Sequence, residues 1–97
     1  MKFMAVCGSG LGSSFMVQLN IEKCLADLGI SGVQVEHSDL STAAPDAADV
    51  FFAGRDIAEA MRVGDARLVV LDSIIDMAEL RAKVEQVAVE LGLGQKR

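Results

Sequence analysis

Short apolar runs alternate along this chain with longer stretches of helical periodicity. Lys2-Phe3-Met4-Ala5-Val6 is a brief apolar segment that predicts a buried strand. Behind it Val17, Ile21, Cys24 and Leu28 recur at helical spacing, which predicts a helix from Gly12 or Ser13 to Leu28, closed by Gly29. Val33-Gln34-Val35-Glu36-His37 alternates apolar and polar, the pattern of a half-buried strand at a sheet edge. Asp49-Val50-Phe51-Phe52-Ala53 predicts a third, fully buried strand, followed by a short helix over about Asp56 to Met61 that Gly64 breaks. Arg67-Leu68-Val69-Val70-Leu71 is a fourth apolar strand. Met77, Leu80, Val84, Val87 and Leu91 then fall on one stripe of a last helix, expected to be core. Asp76 and Glu79 resemble a capping box at its start, and Gly92 suits its far end. Between Ser38 and Ala48 the pattern is poor, because Pro45 forbids a regular helix through the centre. A short turn from Asp46 is compatible with it, and Gly94 to Arg97 reads as a frayed tail.

Strands that alternate with helices imply right-handed crossovers and a parallel sheet covered on both faces. The expectation is one α/β domain over residues 1–97, three layers deep, with a four-stranded parallel sheet in the order 2-1-3-4. That order puts strand 1 in the centre and its carboxyl end beside the topological switch point, where open α/β sheets bind ligands.

The stretch that follows strand 1 carries the candidate chemistry. Cys7-Gly8-Ser9-Gly10-Leu11-Gly12-Ser13-Ser14 links a strand to a helix, and its first residue is a thiol. Three glycines at alternate positions permit a tight coil that turns successive N–H groups inward. The start of the next helix adds unpaired N–H groups and the positive end of its dipole. Such a turn is an anion cradle suited to phosphate, and a cysteine at its lip is expected to have a lowered pKa and to act as a nucleophile. Ser13 and Ser14 are equally readable as ordinary helix caps and as phosphate donors.

Composition narrows the alternatives. The net charge of −5, the absence of Tyr and Trp and the presence of only four Phe oppose broad nucleic-acid binding. No apolar run reaches the length of a membrane span and no signal peptide is evident, so a cytoplasmic protein without direct membrane insertion is expected. A Walker A loop would need Lys after Gly12, a dinucleotide fingerprint would need Gly at Ser13, and a redox C-x-x-C would need Cys at Gly10. One His and two separated Cys give no zinc spacing, so no metal and no cofactor are expected. A disulfide is opposed by geometry: Cys24 lies roughly 15–18 Å along the helix, whereas bridged Cα atoms lie within about 7 Å. Cys24 shares the apolar stripe and reads as a small buried hydrophobe.

What remains is Cys-x5-Ser. Tyrosine phosphatases have a loop of the same length with Arg where Ser13 stands, and that Arg clamps phosphate and stabilises transition-state charge. Without it, a phosphothiol persists until an acceptor docks, so the residue types favour relay over hydrolysis. Cys-Gly-x-Gly-x-Gly-Ser-Ser directly after a first strand, in a chain of this length, resembles the IIB component of the bacterial sugar phosphotransferase system. The ascorbate-type branch is most similar, with the galactitol type a near relative, within a wider group of lactose/cellobiose-like IIB proteins. The likeness is sharp over residues 2 to 25 and one of pattern beyond them. It implies that Cys7 accepts a phosphoryl group from a phosphohistidine on the IIA partner and passes it to a sugar held by the membrane IIC transporter. Gly8, Ser9, Gly10, Leu11, Gly12, Ser13 and Ser14 would then wrap the phosphate. The alternatives are a small Cys-dependent phosphatase or arsenate-reductase-like enzyme, and a non-catalytic anion-binding domain.

Other residues carry weaker signals. His37 ends a strand and reads as a solvated surface histidine rather than a general base. Asp39 and Arg55 fall near the same carboxyl edge as Cys7. Arg55 is readable as a phosphate neighbour, a partner contact or a plain helix-start arginine. Phe15 and Met16 suit either an apolar docking rim or core packing.

Overall fold

A computed structural model describes residues 1–7, 13–39, 47–61, 64, 66–73 and 76–92, with only the backbone of Ser13 and Ser14. Strand β1 (Lys2–Cys7) leads to helix α1 (Ser13–Asp27), and β2 (Gln34–Asp39) and β3 (Val50–Gly54) follow. The short helix α2 (Arg55–Ala58), strand β4 (Arg67–Leu71) and helix α3 (Met77–Glu90) complete the order. All pairings are parallel and the sheet runs β2-β1-β3-β4, the order expected from the pattern. Residues 40–46, the least readable part of the sequence, and the tail from 93 onward lie outside the described residues.

Alternation along the strands sorts their side chains into two cores. Phe3, Ala5, Val35, Val50, Phe52, Val69 and Leu71 face α1 and α3, meeting Val17, Ile21, Cys24 and Leu25 from the first helix and Leu80, Val84 and Val87 from the last. Met4, Val6, Phe51 and Ala53 face the other way, against Ala58 with Ile57 and Met61 around it. The central strands β1 and β3 are therefore apolar on both sides, as in parallel sheets generally. Phe3 and Phe52 lie with ring centroids 5.4 Å apart and tilted by 44°. Each such fully buried side chain contributes about 1.5–3 kcal/mol of transfer free energy.

Several boundaries differ from the sequence reading. Strand β2 starts one residue later and runs on through Ser38 to Asp39, because β1 supplies backbone partners as far as Cys7. Helix α2 begins at Arg55 and covers one turn, with Glu59 and Ala60 in turn conformation after it. The last stripe is core only in its middle: Met77 is 38% exposed and Leu91 39%. Met77 is the first residue of α3 and Leu91 follows its last, and Ala88 is buried although it lies off the stripe.

Helix ends follow local rules. At the end of α1 the N–H of Ile30 donates to the carbonyl of Leu25 (2.9 Å) and that of Gly29 to Ala26 (3.1 Å). This paired closure requires a left-handed residue, and Gly29 supplies it with φ 75°. At the start of α3 the Asp76 carboxylate accepts from the Glu79 N–H at 3.0 Å. The reciprocal half of the expected capping box is absent: the Asp76 N–H donates to the Ser73 carbonyl, and the Glu79 side chain reaches elsewhere.

Candidate functional site

The carboxyl ends of the four strands form one rim. Cys7 ends β1 opposite Asp39, which ends β2. Val6 pairs with Ala53, so the next residues, Cys7 and Gly54, close their strands side by side. Gly54 in turn pairs with Leu71 at the end of β4. The thiol residue is thus flanked by a neighbouring strand end on each side, at the centre of the sheet, and is partly buried. Phe3 and Ala5 belong to the core beneath α1 and α3, so the strand period puts Cys7 on that same face. Helix α1 starts six residues later, at Ser13, and returns along this face, which brings its N-terminus to the rim.

Of the residues expected to bind phosphate, Gly8, Ser9, Gly10, Leu11 and Gly12 lie outside the described residues, as do the side chains of Ser13 and Ser14. Cys24, the second thiol, is 1% exposed within the core. Burial pushes its pKa up, against smaller opposing effects of Arg81 and Lys23. Cys7 and Cys24 are not joined in a disulfide.

His37 stands opposite Ala5, two residues short of the Cys7 level, on an exposed part of β2. Its Nδ1 lies 2.5 Å from the Gln18 Oε1, and its ring meets that of Phe15 edge-on, with centroids 5.3 Å apart. Phe15 is 46% exposed, with Met16 and Leu19 also open to solvent, so core packing does not account for them.

A charged network of which the sequence pointed to Arg55 as an edge residue and to Glu79 as a cap, but not to their partners, lies on the β3–β4 side of the rim. Arg55 forms an ion pair with Asp72, the residue after β4. Glu79 accepts hydrogen bonds from the N–H groups of Asp72 (2.6 Å) and Ser73 (2.9 Å) and pairs with the Lys83 ammonium at 2.9 Å. Lys83 also donates to the Val70 carbonyl. The Asp72 N–H, then Lys83, then the Ser73 N–H favour ionised Glu79 and lower its pKa from 4.5 to about 2, although burial opposes them. An open cleft of about 480 Å³ lies at these strand ends, lined by Gly54, Arg55, Asp56, Glu59, Leu71 and Asp72. The available signal was position: Arg55 and Asp72 each come directly after a parallel strand, where side chains collect at the ligand-binding edge.

No helix among the described residues is long and apolar enough to cross a membrane. No curated protein matches the chain. Over residues 2–86, nearly its whole length, the chain matches the family described as PTS system, Lactose/Cellobiose specific IIB subunit. With a parallel 2-1-3-4 sheet that ends its central strand on a cysteine, the chain therefore belongs to the IIB subunit family of the sugar phosphotransferase system, whose members serve as its phosphocarriers.

Proposed function

We propose that Cys7 is the phosphoryl carrier. Its thiolate attacks the phosphorus of a phosphohistidine on a IIA protein: the S–P bond forms, the P–N bond breaks, and the imidazole nitrogen keeps the electron pair. In the second step a sugar hydroxyl held by the IIC transporter attacks the same phosphorus. The S–P bond breaks, Cys7 leaves as thiolate, and the hydroxyl proton passes to a base on the acceptor side. Phosphoryl transfer chiefly demands an in-line nucleophile and neutralisation of the equatorial oxygens. In this reading the N–H groups of Gly8, Ser9, Gly10, Leu11, Gly12, Ser13 and Ser14 provide the neutralisation, aided by the α1 dipole. No metal or nucleotide is required, because the donor phosphohistidine is already activated. The protein acts in the cytoplasm between its two partners, and the sugar is of the ascorbate type, a choice supported by the wording of residues 2 to 25.

The observation that carries this reading is the place of Cys7: the last residue of a central strand, six residues before the N-terminus of α1, with the glycine-rich sequence 8–12 between them. The test is incubation with phosphorylated IIA followed by peptide mass spectrometry. One phosphoryl group on Cys7, and none on Cys7→Ser, is the expected result. A label on another residue, or none at all, overturns it. Steady turnover of p-nitrophenyl phosphate would instead favour a phosphatase.

A further inference from the structure

Resting on that reading, the geometry points to Arg55 as a switchable counter-charge for the Cys7 phosphoryl group, parked on Asp72 while the thiol is bare. Three observations carry it. First, position: Arg55 follows Gly54, which closes β3 beside Cys7, and neighbouring strands lie only about 4.8 Å apart. A long side chain at this place can reach the space above the sulfur. Second, the two partners are held unequally. Asp72 is anchored through its N–H to Glu79, which Lys83 and the Ser73 N–H fix in turn. Both side chains are about two-thirds exposed and border the open cleft, but Arg55 stands at the start of a one-turn helix on a long side chain, so the guanidinium has the greater reach. Third, the competition favours exchange. An exposed single pair is weak, whereas a phosphoryl group brings about −1.5 to −2 charges and oxygens that accept a bidentate guanidinium.

Among the described residues the other cations are differently disposed. Lys83 is tied to Glu79 and Val70, Arg81 to Asp27, and Arg67 begins β4 paired with Glu90, while Lys2 begins β1 at the opposite edge and Lys23 lies in the later half of α1, away from its N-terminus. Arg55 thus supplies from beyond the end of the adjacent strand the charge that a phosphatase loop carries where Ser13 stands here. Because Asp72 competes for it, the contact forms with loading and is released with discharge, as a carrier needs.

The test equilibrates the full chain with a phosphorylated IIA donor and measures the phosphothiol fraction by phosphorus NMR at low and high salt. Arg55→Gln is expected to lower the equilibrium constant for loading about fivefold, the size of one well-placed exposed charge contact, and to flatten its salt dependence. Asp72→Asn should raise it by about the same factor by freeing the guanidinium, and Arg55→Lys should recover part of the loss. Opposite signs for the first two variants distinguish a counter-charge from a strut, since a merely structural pair would weaken loading in both. Shifts in the same direction, or no shift in either, overturn the role of Arg55. A wild-type chain that takes up no phosphoryl group at Cys7 overturns the carrier reading itself, and this inference with it.

Discussion

Glu79 shows how much one side chain can organise. Its carboxylate gathers the loose backbone N–H groups of Asp72 and Ser73 where β4 gives way to α3, while its own N–H caps on Asp76. Glu79→Gln removes the charge from this junction and is expected to cost about 1 kcal/mol at neutral pH, lowering Tm by about 4–8 °C for a domain of this size. The effect depends on pH in one direction. The folded pKa, about 2, lies below the ordinary value of 4.5, so the contribution is complete above pH 4.5 and fades as pH falls through 2. Thermal melts from pH 7 down to 2 should therefore show the wild type and the variant converging in acid. Equal gaps at pH 7 and pH 2 would contradict the assignment. The sequence marked Glu79 as a cap residue through its spacing from Asp76, but its side-chain partners depend on where β4 delivers Asp72 in space. Local spacing cannot supply that information.

At the scale of elements, period and burial agree except at the two ends of α3. Leu80 and Leu91 lie on one stripe by sequence, yet Leu80 is 1% exposed and Leu91 sits in the open turn after the helix. Leu80→Ala is expected to cost about 2–5 kcal/mol in urea denaturation, whereas Leu91→Ala should stay within about 0.5 kcal/mol. Comparable losses at both sites would mean that the stripe, not the sheet beneath it, sets the core. The four strands and the two long helices were legible because both periods are strong and their glycine stops, Gly29 and Gly92, are well placed. Arg55–Ala58 is less legible: one turn of helix has too few apolar positions to declare its bounds, so the pattern places it over about Asp56 to Met61. The end of β2 was hidden for a similar reason, since Ser38 and Asp39 are strand residues by virtue of their β1 partners and not of their own propensity.

The whole molecule separates its two thiols into different environments. Cys7 ends a strand at the rim and is partly buried, whereas Cys24 is enclosed between α1 and the sheet with its pKa pushed up by that burial. A native sample treated with a maleimide at neutral pH should label Cys7 first, with Cys24 modified only as the fold opens. Mass spectrometry over a time course, with and without urea, separates the two. Prompt labelling of Cys24 without denaturant would show that the core around it is looser than its packing implies. The same separation was visible in the sequence, where one cysteine precedes glycines and the other sits in an apolar stripe.

The pairing of β1 has a further consequence for how the protein is made. Its neighbours are residues 34–39 on one side and 50–53 on the other, so β1 meets its first partner only at β2, and its second side stays unpaired until β3, past the middle of the 97 residues, has been made. Parallel pairings of such separation close late and slowly. A nascent fragment that ends before Val50 would hold Cys7 on a strand with one side unpaired, and the rim that surrounds the sulfur would not yet exist. If Cys7 is the carrier, phosphoryl uptake should therefore be absent from fragments that end before Val50 and appear only once β3 has been made, which ties the birth of the activity to the building of the rim.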